Sequence, residues 1–283
     1  MSDLPQTPDS FTPALHLIYA TPELPSPDQA KLASRLRQFT ELSGSDPSVN
    51  WRINTGDKCL GDLHFDQHYV QVAGLANPLP QPVIDRTINI SLWQAQIKAG
   101  MRRHQAHLSL VYRGKAPDPV ERMIALYQVA HSLNNENLLG VVNEPAWTAH
   151  PTADFLSIEK IEQYREEIPF ILWFGYVRIF VDKQRYWLVT KGHHLFDVPD
   201  LAYFVESAVE EETVINHFIN LFYYLYDQDV FVTAGDTLEI GESGETMRFS
   251  EVTEYAETML GPAGTLVVEK VKPDAASDQD SSG

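Results

Sequence analysis

The longest apolar stretch of the chain is Phe170 to Val181 (FILWFGYVRIFV), apolar at both alternating parities and interrupted by Arg178. Apolarity on both parities predicts a central strand covered on both faces. Asp182-Lys183-Gln184 predicts a turn back into a second strand, Arg185 to Lys191. Residues 211–226 (EETVINHFINLFYYLY) are apolar nearly all round, which predicts a buried helix. Strands separated by glycine turns are expected at 229–233, 246–250 and 264–271.

The first half alternates between the two periods. Ala14 to Ala20 is a short apolar strand, and residues 60–65 and 68–74 predict a hairpin about Asp66-Gln67. Leu108, Leu110 and Tyr112 alternate in a strand over 107–113, and Leu138 to Asn143 is a short buried strand. Helical spacing places Leu32, Leu36 and Phe39 on one face, after a start read at Ser26-Pro27-Asp28-Gln29 and before a stop at Gly44. A helix over about 91–103 carries Trp93, Ile97 and Met101 four apart. Asp118-Pro119-Val120-Glu121 opens another, running to about Asn134 with Val120, Ile124 and Tyr127 on its inner face. NPLPQP (77–82) predicts a rigid extended loop, and residues 157–166 a polar surface helix.

The order of elements predicts an α+β protein with a mixed, largely antiparallel sheet and packed helices. Its first half is close to a ferredoxin-like plan with one inserted helix. The organisation expected is a disordered leader over 1–13, a single α+β unit over 14–272 with a possible subdomain boundary at 144–156, and a disordered acidic tail over 273–283.

Composition narrows the function classes. The 283 residues carry 39 acidic and 21 basic side chains, a formal net charge of −18. Such a surface disfavours nucleic acid and anionic membrane, since both are polyanions, and suits a basic protein partner. Cys59 is the single cysteine, which excludes an intramolecular disulfide and fits a reducing compartment. No window reaches the roughly 18 apolar residues of a membrane span, and the first residues lack the pattern of a signal peptide. A cytoplasmic location is expected.

LHLIYATPELPS (15–26), HFDQHYVQVAG with NPLPQP, HQAHLSLVY (104–112), LLGVVN, IPFILWFGYVRI, TKGHHLFDVPDL and AGDTL (234–238) follow one another in order. Together they resemble an uncharacterised bacterial family, the domain of unknown function 4261 (DUF4261), over roughly residues 14–271. His193-His194 and the Asp66-Gln67 turn depart from its pattern. The resemblance implies a shared α+β fold and no activity. It also implies a place near bacterial toxin or secretion systems, and so a role as an immunity or adaptor protein.

Residues able to carry chemistry cluster after Gly192. His193, His194, Asp197 and Asp200 are the metal candidates, with imidazole and carboxylate donors suited to zinc, iron or manganese. Neighbouring side chains of an extended segment point opposite ways, which argues against a joint site. His104 and His107 would share a face only if one helix ran through both. His64, Asp66 and His68 flank a hairpin tip, and His131 and His217 lie on apolar helices. Arg178 within a buried strand is an anion-contact candidate that otherwise needs a carboxylate. Trp147 is the candidate anchor for a partner. No nucleophile elbow, P-loop or dinucleotide fingerprint is present, and no cofactor is expected. The function expected is a non-catalytic protein-binding module of immunity or adaptor type, acting through an acidic surface. The alternatives are a metal-dependent hydrolase using His193 to Asp200 and a small-molecule anion sensor using Arg178.

Overall fold

The computed structural model describes residues 12–25, 28–38, 47–156, 161–240 and 245–271. Residues 1–11 of the expected leader (1–13), the expected tail (273–283), Ser26-Pro27, Phe39, Gly44 and the first residues of the expected 157–166 helix lie outside them. The chain forms two compact units, one of residues up to 177 with 191–197, the other of 178–190 with 198 onward. The 144–156 segment lies inside the first unit, and the chain passes between units at 177/178, 190/191 and 197/198.

The first unit is built on seven strands: β1 (Ala14–Tyr19), β2 (Ser48–Asn54), β3 (Lys58–Phe65), β4 (His68–Leu75), β5 (Ala106–Tyr112), β6 (Leu138–Asn143) and β7 (Thr148–Pro151). They lie in the order β2-β3-β4-β5-β1-β6-β7, every pair antiparallel. Its helices are α1 (Gln29–Arg37), α2 (Gln81–Arg86), α3 (Ala95–Met101), α4 (Pro119–Ser132), α5 (Thr152–Leu156) and the single turn α6 (Phe170–Trp173). Period-two burial on β1 separates the faces. Leu15, Leu17 and Tyr19 are buried on one, where the Tyr19 hydroxyl donates to the Leu133 carbonyl at the end of α4. Ile18 belongs to the other, packed with Ile84, Ile88 and Met101 from α2, α3 and their connection. The hairpin about Asp66-Gln67 forms as expected, with Asp66 at φ +47°.

Local chemistry sets several boundaries. Asp118 caps α4 by accepting from the Val120 N–H at 2.8 Å, with Pro119 at the first helical position. For α1 the cap is Asp28, which accepts from Ala30 N–H at 2.6 Å, in place of the expected start at Ser26. NPLPQP stays non-helical through Pro80 (φ −56°, ψ 142°), which stands at the start of α2 without a side-chain cap; only its end turns helical, with Pro82 in the first turn, where a missing N–H costs nothing.

A second sheet is formed by β8 (Gly175–Phe180), β9 (Tyr186–Lys191), β10 (Asp200–Val205), β11 (Thr237–Ile240), β12 (Glu245–Glu251) and β13 (Thr265–Lys270), in the order β11-β12-β13-β10-β9-β8; its strands belong to the second unit except for Gly175, Tyr176 and Val177 of β8 and Lys191 of β9, which belong to the first. β10 and β13 are parallel; the other registered pairs are antiparallel. The helices are α7 (Glu211–Asp227) and the short α8 (Ala256–Met259). Both sheets are largely antiparallel and helices pack against them, which is the α+β class.

Two expectations fail here. Phe170 to Val181 is not a central strand. Phe170–Trp173 turns as a helix after Pro169, and the strand that follows lies at the sheet edge with Arg178 and Phe180 exposed. Continuous apolarity could not separate a buried helical turn plus an edge strand from one central strand. α7 is not buried all round. Val214, Phe218, Leu221, Phe222 and Leu225 form one stripe, whereas Tyr224 opposite is 40% exposed.

Candidate functional site

The segment Gly192 to Asp197 is structural in its geometry. Gly192 adopts φ +106°, and a Cβ there would meet the Ala146 Cβ at 2.6 Å. This glycine lets β9 break into a 3₁₀ turn, His193–Phe196, which Asp197 ends at φ +59°. The turn inserts Phe196 against Trp173, stacked at 5.6 Å, in an aromatic cluster with Tyr127, Phe155 and Tyr164. His193 is fully buried and meets the Phe174 ring edge-on at 4.9 Å. His194 is 3% exposed, and burial, with Lys191 nearby, holds its imidazole down at about 4. Asp197 is exposed, while Asp200 is fully buried in the second unit, its Oδ2 against Gly261. Among the described residues no group of three or more His, Cys, Asp or Glu is placed to hold a metal ion.

The other histidines also serve the fold. His104 Nδ1 donates to the Met101 carbonyl at 2.8 Å, and its Nε2 accepts from the Leu79 N–H at 2.8 Å, closing the end of α3. His107, on β5, donates to the Asn77 carbonyl. His68 bonds the Tyr112 hydroxyl, and His64 stacks on Tyr69. Burial lowers the pKa of His68, His104 and His107. The Cys59 thiol is buried and pushed up to about 11, so it stays protonated and unreactive at neutral pH.

Register creates one relay that spacing could not show. His16 on β1 pairs with Ser109 on β5, and their side chains meet at 2.9 Å. Its other ring nitrogen faces Glu144 at 3.3 Å. Serine, histidine and carboxylate stand in the order of a nucleophile, base and orienting group. Ser109, however, lies between β4 and β1, on a strand laddered on both sides. The backbone N–H groups beside it are committed to those ladders, so they cannot form an oxyanion hole. The relay is a cross-strand polar contact, and hydrogen bonding to His16 lowers the Glu144 pKa.

Arg178, expected in a buried strand, is exposed on edge strand β8 and grips Glu211 with two hydrogen bonds, the Nε–Oε2 one at 2.6 Å. The Tyr186 hydroxyl donates to the same carboxylate. The guanidinium is thus already matched to an anion within its own unit. Phe180, 61% exposed, lines the shallow depression beside this pair, together with Ser207 and Ala208. Val209, which follows them, is 89% exposed.

Trp147 is half-buried rather than an exposed anchor. It occupies the tight turn between β6 and β7 at φ +52°. The buried Lys191 ammonium lies 4.8 Å from its ring centroid and the Arg86 guanidinium 5.3 Å. Trp147 forms one wall of an apolar pocket of about 120 Å³, with Trp93, Phe174 and Tyr176. His150 lines it, and the exposed Leu92 and Ile171 stand at its rim. No motif or spacing in the sequence singles out His150 or Tyr176. The only signal for them was the aromatic density of the 144–156 and 170–181 segments.

The fold and these sites define an α+β protein of two compact units whose histidines are mostly built into its interior. Over residues 189–269 the chain matches the model of the family described as Domain of unknown function (DUF4261), which supports the resemblance in that part of the chain. No curated protein and no solved structure matches it.

Proposed function

We propose that the chain is a protein-binding module that recognises a basic, partly apolar segment of another protein through its second unit. The observation that carries this is the distribution of charge. Residues 178–190 and 198–283 hold 19 acidic and 6 basic side chains, a net −13, against −5 for the rest. Glu206, Glu210 and Glu212 are exposed around Val209, so the acidity surrounds apolar surface beside Phe180. Carboxylates would steer a basic partner, and Val209 and Phe180 would supply the apolar contact. Of the alternatives, the metal-dependent hydrolase finds no assembled ligand set among the described residues, and the anion sensor would have to displace Glu211 from Arg178. The reading is that of a non-catalytic cytoplasmic module of the immunity or adaptor type.

The test is photo-crosslinking in the native cell from a reactive residue at Val209, with Ile53 of the first unit as control. A protein captured from Val209 alone is expected, associating more slowly as salt rises. The E206K/E210K/E212K variant should lose most of that association. Equal capture from both positions, or an association rate indifferent to salt, would overturn the reading.

A further inference from the structure

The aromatic pocket of the first unit has no part in that reading, and it carries the features of a small-molecule site. Its volume of about 120 Å³ is close to that of an engineered cavity of roughly 150 Å³ that binds benzene in another protein. The walls are pre-set. Trp93 Nε1 donates to the Ala149 carbonyl at 2.6 Å, the two cations hold Trp147, and Phe174 is 1% exposed. No lining residue is Asp, Glu, Lys or Arg, so no lining side chain can replace the hydration that an ion would lose on entry.

Apolar walls alone would accept any small hydrocarbon. Two polar atoms narrow the choice. Tyr176 Oη and His150 Nδ1 belong to lining residues, are buried, and have no hydrogen-bond partner among the described residues. His150 is 3% exposed. Its Nε2 lies 3.1 Å from the Leu172 carbonyl, which can only accept. Nε2 therefore carries the proton, and Nδ1 is left as an acceptor. Burial holds this imidazole neutral, with its pKa down at about 4. The tyrosine hydroxyl can donate. Together the two atoms ask for a group that accepts and donates at once, which a hydroxyl does.

We propose that this pocket binds a small, neutral, single-ring phenolic molecule, its ring among Trp93, Trp147 and Phe174 and its hydroxyl satisfying Tyr176 and His150. Unlike the protein-binding reading, the site involves no residue of the second unit, so the two stand or fall separately.

The experiment is a calorimetric or ligand-detected NMR titration of the full chain with phenol, and with benzene and benzoate for comparison. Phenol is expected to saturate one site, benzene to bind several-fold more weakly, and benzoate not to bind. Tyr176→Phe should weaken phenol about tenfold, the worth of one hydrogen bond, and leave benzene unchanged. Leu92→Trp at the exposed rim should block both without disturbing the fold. Absence of saturable phenol binding would overturn the proposal. So would phenol affinity unchanged in both variants, which would leave the two polar atoms to water only.

Discussion

Gly192 shows how one backbone position can decide a segment. At φ +106° a side chain is strained, and a Cβ there would also press on Ala146 and lie 3.2 Å from the Trp173 carbonyl. Gly192→Ala is expected to cost about 2–4 kcal/mol, strain and overpacking together. Urea unfolding measures it, and a loss under about 0.5 kcal/mol would show that the turn can relax. Beside this glycine the histidine pair is a consequence of packing. His193 and His194 face inward because the turn must bring Phe196 to Trp173. Sequence marked the segment as unusual but could not tell ligand from packing, because an imidazole serves equally well in either place.

Among the elements, α7 gives the cleanest contrast. Its apolar residues were legible, but which of them face inward was not, because Ile215, Ile219, Tyr223 and Tyr226 continue the apolar pattern outside the buried stripe. The structure buries Phe218 to 1% exposure and leaves Tyr224 at 40%. Phe218→Ala should therefore cost about 3–5 kcal/mol, and Tyr224→Ala within about 0.5 kcal/mol of nothing. Chemical denaturation of both variants checks this; equal losses would mean that both sides of the helix are packed. β8 carries the opposite lesson. Its run of apolar residues suggested a centre strand, yet it ends a sheet, and at its exposed end Arg178 is held by Glu211 from α7.

For the molecule as a whole, buried histidines set the response to acid. His131, His150 and His194 are each held down at about 4 by burial. Their folded values lie below the unfolded one near 6.5, so the unfolded chain takes up protons first as pH falls. Stability is intact above about 6.5 and is lost on the way down to about 4. Each imidazole removes about 1.4 kcal/mol per pH unit over that window, or roughly 3–4 kcal/mol for the three between pH 6.5 and 5.5. Carboxylates with lowered values, such as Glu211 and Glu144, add their loss at lower pH. Urea midpoints at pH 7, 6 and 5.5 test this, and a flat profile across the range would contradict it. No helix among the described residues is long and apolar enough to cross a membrane.

By itself the sequence determined the α+β class, the hairpin at Asp66-Gln67, the Asp118 cap and the acidity. Each of these depends on residues close in the chain or on composition alone. Period-two strands, a capping carboxylate and a count of charges need no partner to be read. Only the tertiary structure decided that β8 is an edge, that Arg178 is matched by Glu211, and that His16 meets Ser109. It alone gathered Trp93, His150, Phe174 and Tyr176 around one pocket. These residues lie up to 83 positions apart. What joins them is the register of strands and the packing of turns, which are set by how long-range contacts close and by no local preference.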